Sequence, residues 1–260
     1  MDIVLIGSGN TATVLGRKSL AAGHRILQVY SRSENHATRL AGSLNAKAVT
    51  SVSSIEKNAD LLVIALQDEA VADFVQALGV IRSLLITHTA GALSIHEVRN
   101  AGDRYGVLYP LQSLRKEIEI LPVLTLLVDG NSPSTRDQLT DFASGIAETV
   151  IQADDDTRLK YHLAATLVNN FTNHLFAVAE SFCEKENISF AVLQPLMEET
   201  VLRLQHISPR AAQTGPAFRN DLRTLDKHRR LIKNDPAVSR LYEMFTKEIH
   251  KSAPAIRFKP

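Results

Sequence analysis

The chain has 260 residues, 45% of them hydrophobic and 22% charged, which is the composition of an ordinary soluble globular protein with one large domain or two modest ones. Its 29 Lys and Arg against 28 Asp and Glu leave a net charge of +1, which argues against nucleic acid as its partner. One Cys excludes an intrachain disulfide and a cysteine-rich metal site, and runs such as Leu61–Leu66 and Leu124–Val128 fall far short of the ~20 residues that span a membrane.

The first residues, Met1–Ile6, form a β-branched-rich strand pattern with no basic leader before it. With the single Cys, this points to a reducing cytoplasm. Gly7-Ser8-Gly9-Asn10-Thr11-Ala12 follows, then a helix pattern through Leu15, Leu20 and Ala21 that Gly23 stops. A second strand is predicted over Arg25–Tyr30 and a helix over Asn35–Leu44. Asp60–Leu66 reads as a strand buried on both faces, Asp68–Leu78 as a helix and Leu84–His88 as another strand. Gly106–Leu111 and Thr125–Val128 add two more. Strands alternating with helices predict a parallel α/β sheet.

From about Ala153 onward no strand is predicted. Asp154-Asp155-Asp156-Thr157 offers a cap and negative charge at a helix start. Leu159, Leu163, Leu167, Phe171, Leu175, Val178 and Phe182 then repeat at three or four residues, as one face of a long helix. Further helices are predicted from Ser189, bent at Pro195, and over Arg219–Ile232 and Ala237–His250. The expected organisation is therefore an α/β domain over 1–152 and an all-helical domain over 153–260.

Gly7-x-Gly9-x-x-Ala12 between a strand and a helix carries dinucleotide chemistry. Gly7 permits the tight turn, Gly9 lets the backbone approach a pyrophosphate, and Ala12 allows close helix–strand packing. The amides at the helix N-terminus, through Ser8, Asn10 and Thr11, would face the phosphates. An NAD site usually ends the second strand in Asp or Glu. Here that end is Ser31-Arg32-Ser33, hydroxyls and a guanidinium that suit the 2′-phosphate of NADP. Leu66 and Gln67, and His88 and Thr89, stand at later strand ends on the same ligand side. Asp68 reads better as a helix cap.

His162, Asn169, Asn170, Asn173 and His174 crowd into the long helix, and His162, Thr166, Asn170 and His174 share a four-residue spacing. Such amide and imidazole groups suit a polar ligand or a buried network. Neighbours on a helix lie about 100° apart, so the spacing does not decide between Asn169 and Asn170 as the cleft residue. Gln213-Thr-Gly-Pro-Ala-Phe-Arg219-Asn-Asp221 forms a turn and a helix start. There Arg219 could hold an anionic group, and Asp221 could cap the helix or orient His228.

Tyr109-Pro110-Leu111-Gln112-Ser113, Asn169-Asn170-Phe171-Thr172-Asn173-His174 and the Gln213–Asp221 run resemble a bacterial family. Its Rossmann-like proteins carry a helical domain of unknown function, DUF2520, and are provisionally named NADP oxidoreductases similar to coenzyme F420-dependent ones. The layout is more distantly similar to pyrroline-5-carboxylate reductases, ketopantoate reductases and β-hydroxyacid dehydrogenases. The resemblance implies a Rossmann domain followed by a helical domain like the C-terminal domain of 6-phosphogluconate dehydrogenase, and a homodimer through its helices. In the last two groups a lysine and asparagines project from the first long helix of the second domain. The comparable row here is His162, Thr166 and Asn170, a departure that makes His162 the candidate proton donor.

The expected function is transfer of hydride between NADP and a small carbonyl, imine or 2-oxo or hydroxy acid compound. His162, Asn170 and Asn173 are the candidate catalytic residues, and Asn169, His174 and Arg219 the substrate contacts. A non-catalytic NADP(H) sensor and an F420-linked oxidoreductase are the alternatives.

Overall fold

The computed structural model describes residues 1–252, so residues 253–260 of the expected helical domain lie outside the described residues. These divide into two compact units, Met1–Phe171 and a second that begins at Thr172. The first is built on one eight-stranded sheet in the order β3-β2-β1-β4-β5-β6-β7-β8. The strands are β1 (Asp2–Ile6), β2 (Arg25–Tyr30), β3 (Lys47–Val49), β4 (Leu61–Ile64), β5 (Leu85–His88), β6 (Arg104–Pro110), β7 (Thr125–Gly130) and β8 (Thr149–Gln152). All pairings are parallel except β6 with β7. The first six strands therefore follow the doubly wound order, in which the chain reverses direction between β1 and β4.

Alternation along the strands explains why both faces are covered. Ile3, Leu5, Leu61, Val63 and Leu85 join one core with Ala12 and Leu15 of α1 (Asn10–Ala21) and Leu40 of α2 (Glu34–Ser43). Phe142 of α4 (Pro133–Ile146) lies in the same core. Val4, Ile6, Leu62, Ile64 and Ile86 join the other, with Val71 and Phe74 of α3 (Asp68–Leu78) and Val98 of a 3₁₀ segment, Ile95–Ala101. A period of two places successive residues of one strand in opposite cores.

Several elements differ from the sequence expectation. The edge strands β3 and β8 and the helix α4 are additional. Ser132 accepts from the Thr135 amide and Pro133 stands in the first turn, which is a sufficient local reason for α4 to start there. The expected long helix is divided into α5 (Asp155–Ala165), a π-helical segment at Thr166–Phe171, and α6 (Thr172–Lys185). Pro195 does not bend a helix but sits in the first turn of α7 (Gln194–Leu202), where no N–H is needed.

The second unit continues with α8 (Pro209–Ala212), α9 (Leu222–Leu231) and α10 (Pro236–Ser252). The helix expected from Arg219 begins only at Leu222. Asp221 is its N-cap, and it accepts from the Thr224 amide at 3.1 Å and the Thr224 hydroxyl at 2.7 Å. His228 is not oriented by Asp221; its Nδ1 is 2.9 Å from the Tyr242 phenol.

Candidate active site

The turn after β1 lies at the carboxyl end of the sheet, where the strand order reverses. Gly7 has φ +114° there, and a Cβ at this position would run into the carbonyl oxygen of Ala65, just beyond β4. Only glycine lets the two strand ends approach this closely. A Cβ on Gly9 would meet nothing within 4 Å, so its backbone is open to a ligand. Serine side chains cap α2 and α4 and Asp154 caps α5, but no side chain caps α1. The first-turn amides and the positive end of the α1 dipole are thus left for an anion.

A cavity of about 670 Å³ opens from this turn and is lined by Gly7, Ser8, Gly9, Ser31, Arg32, Ser33, Leu66 and Gln67, among others. Its floor is ordered by the serines. The Ser8 hydroxyl donates to Ser31 at 3.1 Å, and the Ser33 amide donates to the same oxygen at 3.3 Å. Arg32 is exposed, with no hydrogen bond or ion pair among the described residues, and is free to take an anion. His36, one turn on, lines the same cavity. An uncapped helix start, a backbone opened by two glycines and a guanidinium at the end of β2 together fit a dinucleotide carrying a 2′-phosphate.

The other residues expected near the cofactor do not line this cavity, and Ala12, fully buried, packs against the sheet as expected. The Asn10 side chain accepts from the Lys116 amide at 3.3 Å and so ties the β6–β7 connection to α1. Thr11 and Thr89 line a second cavity, of about 550 Å³, adjoining the first turn of α1. Asp68 lies in the first turn of α3 and does not cap it; Gln67 occupies the cap position.

His88 is completely buried. The Ala90 amide donates to its Nδ1 at 3.2 Å, so the ring proton is on Nε2, which donates to the Ser94 carbonyl at 3.2 Å. Burial first, and the charge of Arg158 second, push its pKa down to about 4. Both nitrogens are used by the main chain, and His88 lines neither of these two cavities. It brackets the loop that follows β5.

His162, Thr166, Asn169 and Asn170 line the second cavity together with Tyr109, Gln112 and Ser113. Both asparagines are brought to it. The π-helical turn bonds i to i+5, which inserts a residue and shifts the helical phase. Of the four-residue row, His162, Thr166 and Asn170 all line this cavity, and His174 lies on α6 in the second unit. Asn173 and His174 lie exposed on α6, and Arg219 lies exposed in the turn before α9, all in the second unit.

Tyr109, which sequence reasoning singled out only as part of a motif, closes the site. Its phenol oxygen lies 2.8 Å from His162 Nδ1, and the rings meet edge to face at 5.8 Å between centroids. His162 Nε2 has no partner among the described residues. The pair rests on Gly91, where a Cβ would lie 2.7 Å from His162 Nδ1 and 2.9 Å from Tyr109 Cζ. The signal available in the sequence was position: Tyr109 stands at the carboxyl end of β6, on the ligand side. Burial pushes the Tyr109 phenol up, while the Arg158 charge pulls it down and Asp68 pushes it further up.

Residues 124–249 match the family described as a domain of unknown function, DUF2520, and residues 2–91 match the family described as NADP oxidoreductase, coenzyme F420-dependent. A solved structure from Bacteroides fragilis, of a protein provisionally named NADP oxidoreductase, is 36% identical. It covers 96% of this chain and 98% of its own, with a TM-score of 0.90. The chain belongs to the DUF2520 family. This DUF2520 protein also shares its fold with 1-pyrroline-5-carboxylate reductase from Streptococcus pyogenes, at 15% identity, 96% and 98% coverage and a TM-score of 0.65. The reductive aminase from Aspergillus terreus, solved with NADPH, aligns at 16% identity, 97% and 96% coverage and a TM-score of 0.72. No protein of curated function matches the DUF2520 chain in sequence.

Proposed function

We propose that this protein is an NADP(H)-dependent oxidoreductase acting on a small carbonyl, imine or 2-oxo acid compound. One observation carries the reading: a dinucleotide cradle and Tyr109, hydrogen-bonded to His162 of α5, stand at the carboxyl end of one sheet, in two cavities that both reach the start of α1, through Gly9 and Thr11. The names of the relatives support it, since the Streptococcus protein is a reductase of a cyclic imine and the Aspergillus protein was solved with NADPH.

The cofactor is NADP(H), which supplies or accepts hydride when bound. The amides of the Gly7–Ala12 turn hold its pyrophosphate, and Ser31, Arg32 and Ser33 hold its 2′-phosphate. Tyr109 donates to His162 Nδ1, which keeps the imidazole proton on Nε2. His162 Nε2–H then donates to the substrate oxygen or nitrogen as negative charge develops there. Asn169 and Asn170 orient that atom. The residues lining this cavity include no Lys, Arg, Asp or Glu, which suits an uncharged reacting group. Asn173 remains a catalytic candidate and His174 and Arg219 candidate substrate contacts; Asn173→Ala is expected to lower turnover, and the alanine variants of the other two to raise KM.

The test is NADPH oxidation against a panel of small ketones, imines and ketone–amine mixtures. His162→Ala should lower turnover about 10²-fold or more, the range of a lost general acid, with NADPH affinity unchanged. Unchanged turnover in that variant would overturn the role of His162. The helical region, from residue 153, is proposed to form a homodimer. In α5 and the π-helical segment Leu159, Leu163, Leu167 and Phe171 are 49%, 61%, 53% and 56% exposed, an apolar stripe that water does not favour.

A further inference from the structure

Arg158 is a buried cation that the proposed reaction has not used. Its side chain is 1% exposed, and its Nη2 makes both of its hydrogen bonds, one to the Leu93 carbonyl and one to Asp155 at 2.7 Å. Nε and Nη1 are buried without a partner among the described residues. A clamp on Leu93 and Asp155 needs a single N–H-bearing nitrogen. Leaving the rest of a guanidinium desolvated and unpaired is costly, and a charge in that setting acts strongly on its neighbours.

Its neighbours include the buried His88 as well as the proposed catalytic pair. Arg158 precedes His162 by one turn of α5, so the two project from one face. The carbonyl that Arg158 holds belongs to Leu93, two residues beyond the Gly91 on which the His162 and Tyr109 rings rest. Asp155 fixes the same loop by accepting from the Ile95 amide at 3.0 Å. Burial opposes ionisation of Asp155, but bonds from Ser94, Arg158 and Ile95 outweigh it and hold its carboxyl below the usual range.

We propose that Arg158 is a positioning residue for proton relay: its buried charge stabilises the Tyr109 phenolate formed when Tyr109 re-protonates His162. In that step the His162 Nε2–H bond breaks and its proton goes to the substrate atom that has gained negative charge. The Tyr109 O–H bond breaks, its proton moves to His162 Nδ1, and the negative charge comes to rest on the phenol oxygen. Imidazole is neutral before and after the step; solvent then returns a proton to His162 Nε2 while the Nδ1 proton goes back to the Tyr109 oxygen, which restores the starting tautomer. The groups acting on Tyr109 are Arg158 and His162 from α5 and Asp68 from α3, with Asp155 tempering Arg158. This assignment rests on the reductase reading above, but its test does not need a substrate.

The experiment is ionisation of Tyr109 in the full-length protein, followed by NMR of ¹³Cζ-labelled tyrosine and assigned with Tyr109→Phe. Arg158→Met should raise the Tyr109 midpoint by about one pH unit or more, as loss of a nearby opposite charge does. Arg158→Lys should restore most of the shift. Asp155→Asn keeps an acceptor for the loop but removes the counter-charge, and should lower the midpoint. A folded Arg158→Met protein with an unchanged midpoint overturns the proposal. If that variant does not fold, Asp155→Asn decides alone, and an unchanged or raised midpoint overturns it. The catalytic role of His162 is judged separately by turnover of His162→Ala, so the two readings can fail independently.

Discussion

The Tyr109 phenol and His162 Nδ1 lie 2.8 Å apart although 53 residues separate them in the chain. One residue from β6 and one from α5 meet over Gly91, whose missing side chain leaves room for both rings. Gly91→Ala would place a methyl inside the pair. The expected result is a loss of turnover of about tenfold or more, as small misplacements of reacting groups produce, with NADPH affinity unchanged. The ¹⁵N spectrum of His162 should lose its hydrogen-bonded Nδ1 signal. A normal spectrum in this variant would show that the loop yields without disturbing the pair.

His88 links stability to pH. Its folded pKa of about 4 lies below the ordinary 6.5, so the unfolded chain binds the proton more readily. Its contribution is complete above pH 6.5 and is lost as pH falls from 6.5 toward 4. A shift of this size corresponds to at most roughly 3 kcal/mol. Urea melts of the wild type and His88→Gln at pH 7 and pH 5 isolate the effect from the carboxylates. The wild type should lose more stability than the variant, and equal losses would mean that His88 charges without penalty.

Ser132 starts a helix that faces the sheet core and not the site. Its hydroxyl bonds both the amide and the hydroxyl of Thr135, at 3.2 and 2.9 Å. Ser132→Ala should cost about 1 kcal/mol, the usual value of an N-cap, and leave nucleotide binding as it was. Denaturant midpoints and a nucleotide titration on one preparation check both halves.

The proposed self-association rests on the outward apolar stripe of α5 and on the scarcity of buried residues in the second unit. Cys183, Ala217, Leu225 and Ile232 are its buried residues among those described. Sedimentation should find a dimer for the wild type and a smaller species for Leu163→Asp. A monomeric wild type would refute the homodimer.

The Gly7 turn was readable because its strand is uninterrupted Ile, Val and Leu and its glycines meet fixed steric demands. β4 was readable for the same reason, and β2 and β5 because they are mostly apolar or β-branched in spite of Gln28 and the Thr87-His88 end. β3 has only three residues, and β8 is an edge strand with half-exposed faces, so neither shows a clear period. α4 was announced by Ser132-Pro133, a cap signal not used in placing the helices. The π-helical turn was not readable, since a regular helix and one with an inserted residue share the same apolar repeat. His88 looked like a ligand residue because its position at a strand end is visible in the sequence and its two main-chain partners are not. Arg158 carried no signal at all: a basic residue after three aspartates reads as an exposed ion pair, and only packing shows it buried.

The β1–α1 turn and Arg32 are proposed to bind NADP(H). Calorimetric titration of the purified protein with NADPH and NADH, beside Arg32→Ala, tests it most directly. NADPH should bind at least about tenfold tighter than NADH, with that preference lost in the variant because the 2′-phosphate loses its charge-assisted partner. No binding of either nucleotide, or equal affinity for both in the wild type, would contradict it.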